Sequence, residues 1–474
     1  MTGSIQIFII FMYVAILFAI SWYIKKKASG SAENYILAGR KLTVPLVVVS
    51  IVGLAVGGAS TIGVAEQAYK VGLSAGWYTA AWGIGAIVMG LTVAKKYRRL
   101  QITTIPEMLE RYYDTKSSIA GIVCQILVQL VVMSLQYVAG GAILSALLPQ
   151  IFTPFSGMIV SAIVFIGITL IGGMWSASQS NMLNVTLQYI GITVAAFIII
   201  SLVGGMQTVV VQVPSDITLD IVQGVGGMKI VTWIVTLITV NLSLQAIIQV
   251  SLGAKNVHTA QRGFIIGGII MLPVGFLAAL LGVVAAEVYP HIAPTTALPR
   301  LIMSINPWIA GVTLASLWAA DISTACNLLL SSATLYSQDI HKRFIQPRIT
   351  EKQYLLVTRL SVLVLGLITL GFALTISGII STLMAGLSLM AAFGVIILMT
   401  LYAPQYCRKE AAFYTLLAGI IVLVAWLLFP VVRIVPHVIY AEWLVCSLVF
   451  GGTCFVTSEK LDILSIEKKI VMSK

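Results

Sequence analysis

An all-α polytopic membrane protein of about thirteen transmembrane helices is the fold class this sequence predicts, and three observations carry that reading. Of 474 residues, 59% are apolar and 9% charged, where a soluble domain carries about 25% charged residues. Mean hydropathy is +1.03, and apolar runs of ~18 residues or more, each long enough to cross ~30 Å of hydrocarbon, recur along the whole chain. The basic residues, finally, gather in alternate connections.

Taken in order, the apolar runs fall at about 4–24, 44–69, 73–94, 117–148, 154–174, 178–204, 228–252, 263–288, 307–339, 354–376, 378–403, 411–430 and 436–457. The first has no basic segment before it, is too long for a signal-peptide core and lacks a small-residue cleavage site, so it reads as a retained helix. Connections are short, and no soluble domain or long linker appears, so residues 1–474 read as one integral membrane unit. With the N-terminus outside, one set of loops holds 24 of the 28 basic residues, leaving Lys70, Lys229, Arg300 and Arg433 on the other side. Under the positive-inside rule the C-terminus is then cytoplasmic. The loop 205–226, with Asp216 and Asp220 and no basic residue, lies outside. The net charge of +12 is therefore topological, with some attraction to anionic lipid, and does not mark a nucleic-acid binder.

Two segments carry chemistry. In the second span, Gly53, Gly57, Gly58 and Gly63 crowd the middle with Ala55, Ala59 and Ser60. Glycine weakens a helix and lets carbonyls turn from the axis, and an interrupted helix at mid-membrane is how secondary transporters build ion and solute sites. The other reading of these glycines is close helix packing. In the ninth span, Ala320-Asp321-Ile322-Ser323-Thr324 places a carboxylate and two hydroxyls in an otherwise apolar stretch. Ionisable groups there are expensive and mark function by default, and hydroxyls beside freed carbonyls are hard ligands for a small hard cation. The alternative has both hydroxyls bonding back to their own helix.

Other chemistries find no support. Cys124, Cys326, Cys407, Cys446 and Cys454 lie in or beside spans and read as free thiols. His258, His291, His341 and His437 are scattered, without zinc, haem or iron–sulfur spacing. No Walker loop, nucleophile elbow or dinucleotide fingerprint occurs, so neither an enzyme nor a cofactor is expected.

Several segments together resemble the sodium:solute symporter family, over roughly residues 1–345. They are Tyr35–Arg40, the glycine-rich break with Tyr69–Leu73, and Thr103–Tyr112. Gly172-Gly173-Met174, Ala254–Gly263 and Ala319–Ala325 leading to Ser337–Ile340 follow. The resemblance implies a leucine-transporter-like fold: a leading helix 4–24, two inverted five-helix repeats at about 44–204 and 228–403, and trailing helices over 411–457. It implies uptake driven by sodium through alternating access. Matched by motif, the family's main sodium ligands fall on the carbonyls of Gly53, Val56 and Ala320 and the hydroxyls of Ser323 and Thr324. The family often has an aspartate serving a second cation site where this chain has Asn181, after Ser180, and an amide loses that charge. Asp321 is unusual beside a ligand alanine, and three roles stay open for it: tuning the sodium site, carrying a proton, or holding structure.

The family places the solute opposite the break. Candidates there are Ser60, Thr61, Thr79, Trp82, Gln136, Asn241, Ser243 and Gln245, since mid-membrane amides need partners and a polar solute is one; another helix is the alternative partner for each. Glu66, a turn past Gly63, reads either as a satisfied interfacial acid or as part of an outer vestibule. Sugar carriers of the family have Asn-Gln-Tyr where this chain reads Leu244-Gln245-Ala246, so an amino acid, carboxylate or vitamin-like solute is expected over a hexose. The leading expectation is a sodium-coupled symporter of the plasma membrane. A proton-coupled or uncoupled carrier of the same fold is the alternative. A channel or membrane sensor is a third, but residues 458–474 are too few for an output domain.

Overall fold

A computed structural model describes residues 2–28, 31–374 and 379–457. The junction expected between the tenth and eleventh spans, and Lys460, Lys468, Lys469 and Lys474, lie outside the described residues. Among those described, helices are joined by short turns, and extended pairing is limited to isolated bridges such as Leu42 with Ala254. Nine helices are long and apolar enough to cross a membrane, or twelve when each of three bent pairs is one crossing. Bends of 43° at Ala55/Gly58, 56° at Leu91/Ala94 and 51° at Ser243/Gln245 separate these pairs.

The fifth and sixth expected spans are one helix in hydrogen bonding, Pro154–Leu202. At ~1.5 Å per residue a straight helix of that length would run more than twice the thickness of the hydrocarbon. It folds back at Gly173, whose φ of 52° and ψ of −140° are not helical. Neighbouring positions of one helix show the reversal: Trp318 donates to Ser161 on the first arm at 2.9 Å, and Ala319 accepts from Asn184 on the second at 3.2 Å. Both arms also touch the leading helix, Thr2–Ala28, through Gly167 beside Phe18 and Asn184 bonded to Tyr13. Dividing this helix turns twelve crossings into thirteen, the number the apolar runs predict.

Pro307–Thr334 is the axis of the bundle. The helix continues as a π-helix over Leu335–Ile345, and its apolar window is 89% buried. It packs on Pro154–Leu202, Thr115–Leu147 and Val44–Ala55. The windows of Glu351–Ala373, Ala411–Leu428 and Val438–Val456 are each 28% buried, so most of their apolar surface faces lipid, where it meets no water. Amides of Thr115–Leu147 bridge two of the bends. Gln136 accepts the Gly58 N–H at 3.0 Å. Three turns away Gln125 accepts the Gln245 N–H at 3.0 Å and donates to Ser243 O at 2.8 Å. A break leaves backbone groups without helical partners, and in a bilayer these must be met from within the protein.

The basic loops converge at one end. There Arg40 reaches Ile102 O, Arg98 reaches Ala254 O, Lys96 reaches Leu401 O, and Arg343 pairs with Glu110. At the other end Lys70 pairs with Glu66, Tyr69 bonds Tyr289 O, and Arg300 lies over the Tyr289 ring.

The Gly173 reversal generates a stability prediction. A methyl group there would be forced against Tyr35 O, in a backbone conformation that suits glycine. Gly173→Ala should destabilise by ~2 kcal/mol or more and lower the melting temperature in detergent. An unchanged melting curve would show that the reversal does not depend on glycine.

Candidate functional site

The 43° break lies against the middle of Pro307–Thr334. The half-helix Val44–Ala55 ends at Val56, and Gly58–Val71 begins after Gly57. Across from it Ser323 Oγ lies 2.6 Å from Gly53 O and 2.8 Å from Ala320 O. Thr324 Oγ1 lies 2.8 and 3.2 Å from the same two carbonyls. Both hydroxyls bond back to Ala320 O in their own helix, the alternative the sequence left open, and both also reach Gly53 O across the break, so each proton is shared between two acceptors. Four oxygens that converge with no formal charge among them suit a small monovalent cation. The structure thus brings together four of the five expected ligands. Val56, the fifth, caps the half-helix, and its carbonyl accepts from Gln188 Nε2 at 3.1 Å.

Asn181 stands beside this cluster. It is fully buried, a methyl group on Gly53 would come within 2.8 Å of its Nδ2 and 3.0 Å of Ser323 Oγ, and neither amide atom has a hydrogen-bond partner. Ser180 Oγ and Gln188 Oε1 are likewise buried without a partner. Native interiors leave few polar atoms unsatisfied, and the Asn181 amide beside Gly53 and Ser323 is one of them.

Asp321 faces the start of the second half-helix. A methyl group on Gly58 would lie 2.7 Å from its Oδ1. The side chain is fully buried, and neither carboxylate oxygen has a hydrogen-bond partner. Gln136 meets the same terminus from the other side.

Next to the break lies a small cavity of about 10 Å³, with Gly57, Ala59, Tyr78, Trp82, Gln136 and Thr324 in its wall and Leu244 and Leu383 closing it. Trp82 and Gln136 therefore stand where the sequence expects a solute, and Tyr78, bonded to Trp82 at 3.1 Å, joins them. The other candidates lie off the cavity wall and bond the chain, although Asn241 Oδ1 is buried without a partner. Ser60 donates to Ala55 O, Thr61 to Gly57 O and Thr79 to Ser60 O. Asn241 donates to Leu237 O and Ser243 to Thr239 O, while Gln245 accepts from Ile105 N. These polar groups hold the two broken spans in shape. Sequence reasoning passed over Gln125, Gln188 and Tyr78. For the two amides the signal was present, since each is an amide in an apolar run, Gln125 beside Gln129 and Gln136 and Gln188 beside Asn181 and Asn184.

Outside the cavity a vestibule of about 820 Å³ opens at the end that holds few basic residues. Glu66 and Lys70 form part of its wall, with Lys229, Trp233, Met384 and His437. Burial pushes the His437 imidazole below its ordinary value, so its ring is neutral at physiological pH.

Comparison with known proteins bears on all of this. The model of the sodium:solute symporter family matches residues 35–419. A sodium/glucose cotransporter of Vibrio parahaemolyticus is 25% identical over 72% of this chain and 70% of its own length. The osmoregulated proline transporter OpuE of Bacillus subtilis (strain 168) is 24% identical over 90% and 89%. The sodium/proline symporter of Escherichia coli (strain K12) is 24% identical over 89% and 86%. Among solved structures, a substrate-bound, outward-open sodium-coupled sialic acid symporter superposes with a TM-score of 0.80 at 16% identity, covering 96% of this chain and 98% of the other. A closed nucleobase-cation-symport-1 family transporter with bromovinylhydantoin bound gives 0.60 at 12% identity, covering 92% and 95%. With its broken helix, its crowded oxygens and a family match across most of its length, the chain belongs to the sodium:solute symporter family, membrane carriers that move a solute together with sodium.

Proposed function

We propose that sodium binds among the oxygens of Gly53, Ala320, Ser323 and Thr324, with the Val56 carbonyl completing the set, and that its binding drives uptake of a small polar organic solute held beside Gly57, Trp82 and Gln136. The crowding of two carbonyls and two hydroxyls at a helix break carries this reading. Sodium there joins Val44–Ala55 to the axial helix. It thereby favours one arrangement of the bundle over the other, which is what coupling by alternating access requires. The relatives named above carry glucose, proline and sialic acid, so family membership leaves the solute open. In this chain the cavity wall presents one amide and two aromatic rings and no charged side chain. We place the protein in the plasma membrane with the N-terminus outside and the C-terminus cytoplasmic, since the end where the basic loops converge should face the cytoplasm.

Coupling to protons is a second reading, favoured by the unpartnered oxygens of Asp321. Uptake into proteoliposomes under a sodium gradient at fixed pH, against a proton gradient without sodium, separates the two.

Losing one of five oxygens should weaken sodium binding while leaving the fold. Ser323→Ala and Thr324→Ala should each raise the sodium concentration for half-maximal uptake by about tenfold, equivalent to ~1.4 kcal/mol. A double variant with unchanged sodium dependence would remove this site from consideration.

Orientation is tested with impermeant thiol reagents on intact cells. A cysteine replacing exposed Asp216 should label from outside, and one replacing exposed Arg99 only after permeabilisation. The reverse pattern would invert the topology.

A further inference from the structure

We propose that Asn181 is a further ligand of the sodium site, its amide oxygen reaching the ion across the gap that Gly53, having no side chain, leaves open. The inference rests on the proposed function for where sodium sits, and it adds one oxygen to the set. It gives the residue a different task from the second cation site that the family's aspartate serves at the matching position.

Asn181 lies on the second arm of Pro154–Leu202. Ser178, Asn181, Asn184 and Gln188 follow one another there at helical spacing, so they share a face. That face runs past the broken helix, and its contacts keep step with it. Ser50 donates to Ser178 at 2.9 Å, and Gln188 donates to Val56 O at 3.1 Å. Asn184 turns instead to its other neighbours, donating to Ala319 O at 3.2 Å and accepting from Tyr13 at 2.6 Å. Asn181 falls beside Gly53, between the Ser50 and Val56 contacts. It is fully buried, and among the described residues neither of its amide atoms has a partner. An amide left unpaired in an interior is costly, and the cost is removed only by a partner.

The space beside Gly53 shows what that partner is. A methyl group on Gly53 would lie 2.8 Å from Asn181 Nδ2, 2.9 Å from its Cγ and 3.0 Å from Ser323 Oγ. Amide and hydroxyl therefore border the same small gap, which any residue larger than glycine would fill. No hydrogen bond holds the amide in place, and half a turn about Cβ–Cγ brings Oδ1 to the position of Nδ2. Amide oxygens are hard ligands, and small hard cations take about six oxygens. The carbonyls of Gly53, Val56 and Ala320 with the hydroxyls of Ser323 and Thr324 supply all but one of these, and Asn181 supplies the last. It does so without a charge, which keeps the whole ligand set neutral. The chain gives Asn181 no partner of its own, and a cation on the oxygens across the gap is one.

The test titrates purified full-length protein in detergent with sodium chloride, without solute and with total salt held constant by potassium chloride, and follows thermal unfolding. Sodium should raise the melting temperature of the wild type. Asn181→Leu keeps the approximate size of the side chain and removes both polar atoms. In potassium alone it should melt no lower than the wild type, because the fold loses no hydrogen bond. Its response to sodium should be displaced to about tenfold higher concentration or more. Added to Ser323→Ala, the same substitution should displace the response again. A leucine variant that melts lower in potassium but responds to sodium as the wild type does would assign Asn181 to packing and overturn the inference. So would an effect that disappears in Ser323→Ala, since Asn181 would then act only through that hydroxyl. Should the leucine variant fail to fold, Asn181→Ala is titrated in the same way and judged by the same displacement. A wild type that sodium stabilises no more than potassium does removes the proposed sodium site and this inference with it. A wild type that does respond, matched by the Asn181 variant, removes the inference alone.

Discussion

Everything at the centre of this molecule follows from one constraint: a helix broken in the membrane must find partners for its freed backbone groups inside the protein. Val44–Ala55 and Gly58–Val71 are separated by two residues and a 43° bend. Val56 O goes to Gln188, and the Gly58 N–H goes to Gln136. Gly53 O goes to the hydroxyls of Ser323 and Thr324. The last of these solutions has more contacts than protons. Where the chain meets the demand of the break in full, the result is a rigid joint. Where hydroxyls and carbonyls converge instead, at Gly53, is the place proposed for sodium.

The second broken span shows the rigid case. At Leu244 the ladder stops, and Gln125 bridges the gap by accepting from one side and donating to the other. Gln245 then bonds Ile105 N at 2.8 Å, tying the lower half of the span to the loop before Ile105–Tyr112. Amides serve well here because each carries both a donor and an acceptor and remains uncharged. They anchor two elements at once without bringing an unpaired charge into the bilayer. Asp321 is the exception to that economy, a carboxyl group spent against a half-helix terminus that an amide already serves.

The two ends of the bundle differ in the same way. At the end crowded with basic residues, Thr104 bonds Asp339 on the π-helical extension at 2.9 Å, and Gln249 bonds Ile36 O at 2.8 Å. The Arg343 and Glu110 side chains pair above them. At the opposite end the vestibule reaches inward past Glu66 to Met384, one residue from the Leu383 that closes the central cavity. The arrangement is open on one side, sealed on the other, and nearly closed around the site. An alternating-access carrier passes through that geometry once in each cycle.

The sequence alone determined the helical class, the number and order of the crossings, and the asymmetry of charge between the two ends. Apolar length and basic-residue placement report directly on a bilayer, which is the same solvent for every segment. It also singled out the residues proposed here as cation ligands, because Gly53, Ala320, Ser323 and Thr324 carry a local pattern of freed carbonyls and paired hydroxyls. Only the tertiary structure showed which polar groups reach the central cavity. Asn241, Ser243 and Gln245 look in the sequence like Trp82 and Gln136 do, polar or amphipathic residues in apolar runs, yet only Trp82 and Gln136 line the cavity, while Ser243 and Gln245 bond backbone groups and Asn241 bonds Leu237 O through its Nδ2. The direction in which Asp321 points was equally hidden, as was the reversal of Pro154–Leu202 at Gly173 without a gap in its helical hydrogen bonding. A polar side chain in a membrane must bond something, and sequence reveals the need. Which partner meets it depends on the crossing of helices a hundred or more residues apart, and that is a property of packing.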